Sequence, residues 1–386
     1  MIKQYKIYNF DHGVDNPFKT EFGPFEITIE DYHCENRSKI PRDKRYTESW
    51  DFSDATLKPI IIENEEINGA WVETLIVKID DKNIAKSVLY ADDYHNIVDD
   101  LCLILSFAGG RRVLHEKDRN FDSHNPRKHR GKIIYENSLF CLNSFKWENI
   151  INVKKHKLGI QFYNLTLAYE CNDLIATGAY VNSCFNAICD SWISNKKKLK
   201  KILNKKTNGN LLKTESKKKI NSEIQEIAYE YFKKEEVHPI LIEDFNERLN
   251  ELWRVTVTTQ NSLFLEYLDL VHFYDNNSNE ETAKRTRLSL LSNVRNHFAH
   301  CGDIPQNLNY PYNMRQEISL NVTSVVLQIV QYYFATEILK MNDPYLSYVK
   351  KQIGEYFYNG VVGGKKIFHE THEEAMERMK EEWLKL

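Results

Sequence analysis

Apolar and polar residues alternate in the first part of the chain, and this alternation predicts strands. Residues 25–30 alternate strictly, residues 71–79 are rich in β-branched side chains, and residues 133–135 are a short run of strand-favouring residues that follows a glycine. One helix is predicted in this part, over residues 94–107, with Asp93 near its start and the pair Gly109-Gly110 as its stop. The order of elements predicts an α+β fold that begins with a mainly antiparallel, β-rich domain over residues 1–152.

From about residue 160 apolar residues recur every three or four positions, which predicts helices. The predicted helices cover residues 164–170, 179–193, 222–234, 243–257, 262–274 and 313–340, and an acidic amphipathic helix is expected over residues 369–386. Together with one more helix, which starts at residue 278, they suffice for a bundle. We therefore expect an all-helical second domain over residues 153–386.

The helix that starts at residue 278 carries the most informative residues. Ser278-Asn279-Glu280-Glu281 has the capping-box pattern, in which the serine hydroxyl accepts from a free amide and Glu281 reaches back. Gly302 and Pro305 predict the end of the helix, since glycine accepts the left-handed terminal conformation and proline cannot continue the ladder. Between these limits the spacing predicts one buried stripe, formed by Leu288, Leu291, Val294 and Phe298.

Arg295, Asn296 and His300 bring a cation, a carboxamide and an imidazole to the end of this helix. At about 100° per residue Arg295 falls on the apolar stripe, where its charge must be paired or face a pocket or an interface. Asn296 and His300 are one turn apart, so the amide is placed to orient the imidazole. Arg295 and His300 are separated by about 140° and about 7.5 Å. They meet at one phosphate only if the helix opens near His300 or a second protomer contributes its own copy.

The sequence Arg-Asn-x-x-x-His at the end of a bundle helix resembles the signature of HEPN-domain ribonucleases. The resemblance covers the helical part, roughly residues 155–360, and its specific element is only the six residues 295–300. It implies a HEPN-like bundle, a homodimer through that bundle, and a composite ribonuclease site that uses neither a metal nor a cofactor. Arg295, Asn296 and His300 would be the catalytic residues, whereas His297 falls on a variable position.

The resemblance also implies a reaction and a setting. RNA would be cleaved through attack by its own 2′-hydroxyl, which leaves a 2′,3′-cyclic phosphate and a 5′-hydroxyl. Related proteins belong to phage-defence and toxin systems and often carry an unrelated N-terminal sensing domain. The β-rich domain is therefore expected to have a sensing or regulatory role, and a phage-derived trigger or an antitoxin is an expected partner.

Other interpretations of the motif stay open. Arg295 also fits a structural cation that closes the bundle, with His297 and His300 favoured at the helix end by its dipole. The chain would then be a non-catalytic RNA- or protein-binding module that uses the bundle to dimerise. A third interpretation is an active unit that modification or an antitoxin holds silent. The same spacing recurs at Arg119 and His124, in a polar stretch without helix signals, and this pair serves as an internal control.

Charge indicates nucleic-acid binding only in two local segments of the chain. With 386 residues, 42% hydrophobic content and a net charge of −3, the chain is folded, and as a whole it does not attract nucleic acid strongly. Eleven lysines and one acid lie between residues 196 and 219, and a second basic cluster lies between residues 111 and 132. The residues expected to bind RNA phosphates are Lys196, Lys197, Lys198, Lys200, Lys201, Arg127, Lys128 and Arg130. A solvated linker is the alternative for the lysine-rich segment.

The remaining composition bears on the compartment and on ligands. Seven irregularly spaced cysteines indicate reduced thiols in a cytoplasmic protein. The N-terminus does not resemble a signal peptide, and the most apolar helical stretch, residues 325–339, is too short and too interrupted to span a membrane. No metal is expected, since Cys184 and Cys189 lack a second ligand pair and Tyr32-His33-Cys34-Glu35 is interpreted as a loop.

Overall fold

The computed structural model describes residues 1–37, 39–40, 71–90, 94–118, 144, 146–170, 174–194, 214–251, 257–273, 278–300, 312–343, 345–362 and 365–366. Within these residues the predicted α+β class is confirmed, with a five-stranded antiparallel sheet near the N-terminus and eleven α-helices, most of them in the second half. Several predicted features lie outside the described residues: the strand at 133–135, the Arg119 and His124 pair, Arg127, Lys128, Arg130, Lys196, Lys197, Lys198, Lys200, Lys201, Gly302, Pro305 and the helix at 369–386.

The sheet has the strand order β2-β3-β4-β1-β5, and every pairing is antiparallel. Its strands are β1 (Ile2–Tyr8), β2 (Phe18–Phe22), β3 (Phe25–Ile29), β4 (Glu73–Asp80) and β5 (Leu114–His115). Burial alternates along β3 as the sequence predicted, with Phe25, Ile27 and Ile29 in the core. A separate short pair, β6 (Val361–Val362) and β7 (Lys365–Lys366), follows the last described helix.

The turn between β2 and β3 requires glycine for two reasons. Gly23 has φ of 58°, in the left-handed region that side chains with a Cβ disfavour. A Cβ at this position would also lie only 2.4 Å from the ring of Trp147. That ring packs edge-on against Phe22 and Phe25, with centroid distances of 5.4 and 5.0 Å. The tryptophan therefore covers the hairpin from a distant part of the chain.

The prediction of a loop at residues 32–35 is wrong, because these residues lie in a short helix, α1 (Asp31–Arg37). Both Tyr32 Oη and His33 Nε2 reach Glu73 Oε1 on β4, at 2.8 and 3.3 Å. Arg37 at the other end donates to Asp11 at 2.7 Å. A helix of seven residues is not stable alone, so these long-range contacts explain why local sequence signals missed it.

A pH dependence of stability is expected from His12, which is fully buried beside this helix. Its Nδ1 accepts from the Val14 amide at 3.1 Å, and burial lowers the pKa of His12 to about 4. As the pH falls below 6.5, His12 becomes protonated in the unfolded chain, but in the folded chain it stays neutral until the pH falls to about 4. Protonation between these two pH values therefore favours the unfolded chain. The stabilising contribution is therefore complete above pH 6.5 and is lost as the pH falls through 4.

When the pH falls from 7 to 4.5, the free energy of unfolding of the wild type should fall by about 2 kcal/mol more than that of His12→Asn. Urea titrations at the two pH values would measure both changes. Asparagine keeps an oxygen for the Val14 amide and cannot titrate. Equal losses in the two proteins would show that His12 is not held neutral in the folded state.

The helix predicted at 94–107 is confirmed as α2 (Ile97–Gly109), but its cap is Asn96 rather than Asp93. The Asn96 side chain accepts from the Val98 amide at 2.7 Å, and the Asp99 carboxylate accepts from the Asn96 amide at 2.6 Å. Gly110, with φ of 60°, ends the helix as predicted. A reciprocal capping box thus fixes the start more firmly than one acidic residue would.

Nine further α-helices follow in the described part of the chain. They are α3 (Ile151–Lys155), α4 (Gly159–Glu170), α5 (Leu174–Ser194), α6 (Thr214–Lys234), α7 (Pro239–Glu251), α8 (Val257–Tyr267), α9 (Ser278–His300), α10 (Tyr312–Tyr333) and α11 (Tyr345–Asn359). Two predicted helices have different bounds here. The helix predicted from residue 222 starts eight residues earlier, because lysine favours helix and continues it. The helix predicted at 262–274 runs instead from Val257 to Tyr267. The helix predicted at 243–257 starts at Pro239 and is described as far as Glu251, and residues 252–256 lie outside the described residues. The helix α11 was not predicted.

The described chain forms two compact units, one of residues 1–188 with 273–386 and one of residues 189–272. In the first unit, Phe107 on α2, Phe162 on α4 and Phe334 share one core, with centroid distances of 4.9 to 6.5 Å. Asn149 and Asn152 donate to the carbonyls of residues 339 and 338 at 2.9 and 3.0 Å. The boundary predicted at residue 152 is a different division and stays a prediction.

Among the described residues, one helical stretch, Arg315–Ile338, is long and apolar enough to cross a membrane by length and composition, with a mean hydropathy of 1.3. It joins α10 to a π-helical turn, Phe334–Ile338, and is longer than the apolar stretch judged from sequence. Two thirds of its apolar window (67%) is buried inside the protein. Gln331 within it is also buried, and its amide donates to Tyr169 Oη at 2.7 Å. This burial is that of a core helix.

Candidate functional site

The helix that carries the motif, α9, is continuous from Ser278 to His300. The predicted stripe is confirmed: Leu288, Leu291, Val294 and Phe298 are all buried. The helix packs against α10 and α11. Because the stripe fixes its rotation, the positions of the three motif residues follow directly from the sequence.

Arg295 lies on the buried side of α9, as predicted, and only 5% of it is exposed. Its guanidinium Nη2 donates to Asn296 Oδ1 at 3.0 Å. On the other side, Cζ is 5.9 Å from the centroid of the Phe185 ring on α5. An amide oxygen and the negative face of a ring both stabilise a cation, so the charge is tolerated at the edge of the core.

Asn296 makes a contact that the sequence did not predict, because its Oδ1 accepts from Arg295. Its Nδ2 can still donate to an imidazole or a phosphate, and the second lone pair of Oδ1 can still accept from an imidazole. The backbone of His300 belongs to the last turn of α9, so the helix does not open before it. The His300 side chain lies outside the described residues, and its contact with Asn296 stays a prediction.

Asn182 is a polar residue of this region that the sequence analysis missed. Gly178, Asn182 and Phe185 share one face of α5, since they are four and three residues apart. A Cβ at Gly178 would lie 2.4 Å from the Phe298 ring, and Phe185 lies under Arg295, so this face meets α9. Asn182 lies between the two contacts, is 1% exposed, and neither of its amide atoms has a hydrogen-bond partner.

A buried amide without a partner is destabilising by about 1–3 kcal/mol, and such groups in native proteins often mark a site, an interface or a bound water. Ser319 and Thr323, one turn apart on α10, likewise have buried hydroxyls that lack a partner. The helices next to the motif helix therefore carry uncompensated polar groups. The sequence shows Asn182 four residues after Gly178 in a predominantly apolar helical segment, but it does not show that the amide lacks a partner.

The first half of α9 is held by α11. The Lys284 side chain is fully buried, with Nζ 4.5 Å from the centroid of the Tyr358 ring. Arg287 donates to the Phe357 carbonyl at 2.6 Å, and burial lowers the pKa of this guanidinium. Tyr356 Oη in turn donates to the Arg287 carbonyl at 3.2 Å. Lys284, Arg287 and Arg295 thus give the motif helix three cations that are buried or half-buried.

A second cluster, Asp99, His115 and Asp118, has ligand atoms that lie within 4.8 Å of one another, close enough for one metal ion. Its hydrogen bonds argue against a metal centre. The Lys117 amide donates to His115 Nδ1 at 3.1 Å, so the ring hydrogen is on Nε2, which faces Asp99 Oδ1 at 2.9 Å. A metal ligand needs its lone pair on that nitrogen. We interpret the cluster as a structural link between β5 and α2.

Of the predicted site residues, the structure brings Arg295 and Asn296 into direct contact and places the backbone of His300 one turn further on. The eight basic residues expected to bind RNA lie outside the described part of the chain. Comparisons of the chain with protein-family models, with curated proteins and with solved structures found no match.

Proposed function

We propose that the protein is a metal-independent endoribonuclease of the HEPN type, with α9 as its active-site helix. The observation that carries the proposal is the Arg295–Asn296 contact at the end of a core helix, one turn before His300. The protein would act in the cytoplasm, in phage defence or as a toxin. Residues 1–152 would sense a phage-derived trigger or respond to an antitoxin.

The chemistry follows from what each group offers. The ribose 2′-hydroxyl attacks the adjacent phosphorus, the bond to the 5′ oxygen breaks, and a 2′,3′-cyclic phosphate and a 5′-hydroxyl result. His300 removes the proton of the 2′-hydroxyl, a role worth about 10²- to 10⁴-fold in rate for a general base. The partner's His300 protonates the leaving oxygen. Arg295 stabilises the charge that develops on the phosphate oxygens, and Asn296 donates from Nδ2.

The geometry of α9 requires a second protomer of this protein to complete the proposed active site. Because the helix is continuous to His300, opening of the helix does not bring the histidine towards Arg295. Two copies across a two-fold axis provide the alternative, with each arginine serving the other's histidine. The contact with Asn296 uses one N–H group of a guanidinium that has several. A phosphate oxygen, as a charged acceptor, would make a stronger hydrogen bond with the guanidinium than the amide oxygen does.

One observation favours a second candidate, a non-catalytic RNA- or protein-binding module that dimerises through the bundle. Arg295 is 5% exposed and packed against Phe185, which is also what a structural cation would show. In this case the motif would stabilise the packing of α5 on α9, and no cleavage would occur. The two candidate functions therefore differ in whether the protein cleaves RNA.

Incubation of the purified protein with an oligoribonucleotide pool in EDTA should yield cleavage products that end in 2′,3′-cyclic phosphate, detected by mass spectrometry. EDTA removes divalent ions, so cleavage that persists there cannot use them. A 2′-deoxy sugar at the cleaved position should block the reaction, because the nucleophile is then missing. Intact RNA at protein concentrations where the dimer forms would support the binding module instead.

A further inference from the structure

Asn182 on α5 is a buried amide to which the proposed cleavage chemistry gives no role. It is 1% exposed, and neither Nδ2 nor Oδ1 has a hydrogen-bond partner. A polar side chain in this state destabilises the protein, so its retention is explained if another state of the protein uses it. The position of Asn182 on α5 identifies the group that it can serve.

Two contacts fix how α5 runs along α9. A Cβ at Gly178 would lie 2.4 Å from the Phe298 ring, and the Phe185 ring centroid lies 5.9 Å from Arg295 Cζ. Residue numbers rise along α5 while they fall along α9, so the two helices are antiparallel here. Asn182 is four residues after Gly178. Arg295 is three residues before Phe298, so Asn182 and Arg295 start at nearly the same level along the helix axes. The arginine side chain therefore passes Asn182 on its way to Phe185, in the direction in which helical side chains lean.

Asn182 thus offers the guanidinium a second position, nearer the end of the motif helix. It is three residues closer than Phe185 to the part of α5 that meets Phe298, which corresponds to about 4.5 Å along the axis. His300 follows Phe298 on α9, so a guanidinium that moves from Phe185 to Asn182 moves towards His300. The angle of about 140° between Arg295 and His300 stays, and the second protomer is still needed.

We propose that Asn182 is a positioning residue for Arg295, and that RNA binding moves the guanidinium from the Phe185 ring to Asn182 Oδ1. The proposal rests on the ribonuclease function, because an RNA phosphate draws the cation off the ring. Arginine has several N–H donors, so one guanidinium can bond the amide and the phosphate together. Asn182 itself touches no RNA. Its amide has no partner in the structure because the structure holds Arg295 on the ring, as it is before RNA binds.

Nuclear magnetic resonance of the Arg295 Nε–Hε group tests the proposal without relying on cleavage. The full-length protein is labelled with nitrogen-15 arginine, and Arg295→Lys identifies the resonance by its loss. The probe is a 2′-fluoro oligoribonucleotide pool, which lacks the nucleophile and stays intact. On titration the Hε resonance should move downfield, because the proton leaves the shielding face of the Phe185 ring and gains an acceptor. In Asn182→Leu most of this shift should be lost.

Single-turnover cleavage gives a second measurement. At saturating RNA, Asn182→Leu should lower the rate about tenfold, the effect of losing one hydrogen bond to a charged group. The Kd for the 2′-fluoro probe should change by less than about twofold, because the amide does not touch RNA. Asn182→Ala removes the acceptor without filling its space and should give the same losses.

Gln331→Leu is the matched control, because it removes a similarly buried amide that donates to Tyr169 Oη instead. It should leave the Arg295 shift and the cleavage rate unchanged. Equal Arg295 shifts in the wild type and in both Asn182 variants would overturn the proposal. No shift in a wild type that cleaves RNA would overturn it too, but would leave the ribonuclease function standing. A shift that depends on Asn182 while unmodified RNA stays intact would support the movement of Arg295 and refute the ribonuclease function.

Discussion

Replacing His300 by alanine should reduce RNA cleavage by at least about 100-fold, because a general base contributes about 10²- to 10⁴-fold. The thermal midpoint should change little, since the residue is at the last turn of α9 and the stripe that fixes the helix lies before it. Cleavage of a fluorogenic oligoribonucleotide under single-turnover conditions would measure the rate, and differential scanning calorimetry the fold.

Arg295→Ala should remove cleavage as well, but with some loss of stability, because the side chain packs between Phe185 and Asn296. Arg295→Lys separates the two effects. Lysine keeps a charge on a similar stem but cannot form the planar, forked contact that a phosphate receives from arginine. Stability should then recover while cleavage stays low.

The control is the pair Arg119→Ala and His124→Ala, which carries the same spacing in the other half of the chain. These substitutions should leave cleavage at the wild-type rate. If these control substitutions abolish cleavage and the Arg295 and His300 substitutions do not, the active site contains Arg119 and His124 and the proposed site is wrong. If all variants cleave normally, the motif is structural.

The parts of the fold that local periodicity encodes were predictable. The alternation in β3 and the spacing of Leu288, Leu291 and Val294 each identify a buried face without knowledge of what covers it. The rotation of α9 that this spacing fixes also places Arg295 on the buried face. This step succeeds because an α-helix is a rigid frame, so the position of one side chain fixes the direction of the next.

The parts that depend on distant contacts were not predictable from the pattern. The helix α1 forms because Glu73, about 40 residues away, accepts from Tyr32 and His33. The core shared by Phe107, Phe162 and Phe334 joins segments up to more than 200 residues apart, and the local pattern around each residue does not indicate the others. Local propensity carries no information about such partners.

For the site, the sequence identified the motif residues but not their contacts. The Arg295–Asn296 hydrogen bond needs side-chain conformations that helical geometry leaves open. Asn182 was missed because an asparagine within an apolar helix carries no signal of whether its amide is satisfied. Its position between Gly178 and Phe185 becomes meaningful only once α5 is known to meet α9.

Asn182→Leu should raise the free energy of unfolding by about 1–2 kcal/mol, measured by urea titration, because it replaces an unsatisfied buried amide with an apolar group of similar size. Gln331→Leu is the matched control, since Gln331 is equally buried but donates to Tyr169 Oη at 2.7 Å. It should be destabilising by about 1–3 kcal/mol, because the tyrosine hydroxyl loses its partner. The same chemical change is therefore expected to have opposite signs at the two positions.

If the ribonuclease proposal holds, Asn182→Leu should also cleave RNA more slowly than the wild type despite its greater stability. Natural proteins keep a destabilising polar group where function uses it, and here the amide lies on the helix face that contacts Arg295 and Phe298. A more stable variant with full activity would mean that the amide serves neither RNA nor the second protomer. A variant destabilised as much as Gln331→Leu would mean instead that an ordered water satisfies Asn182, and that its burial carries no functional information.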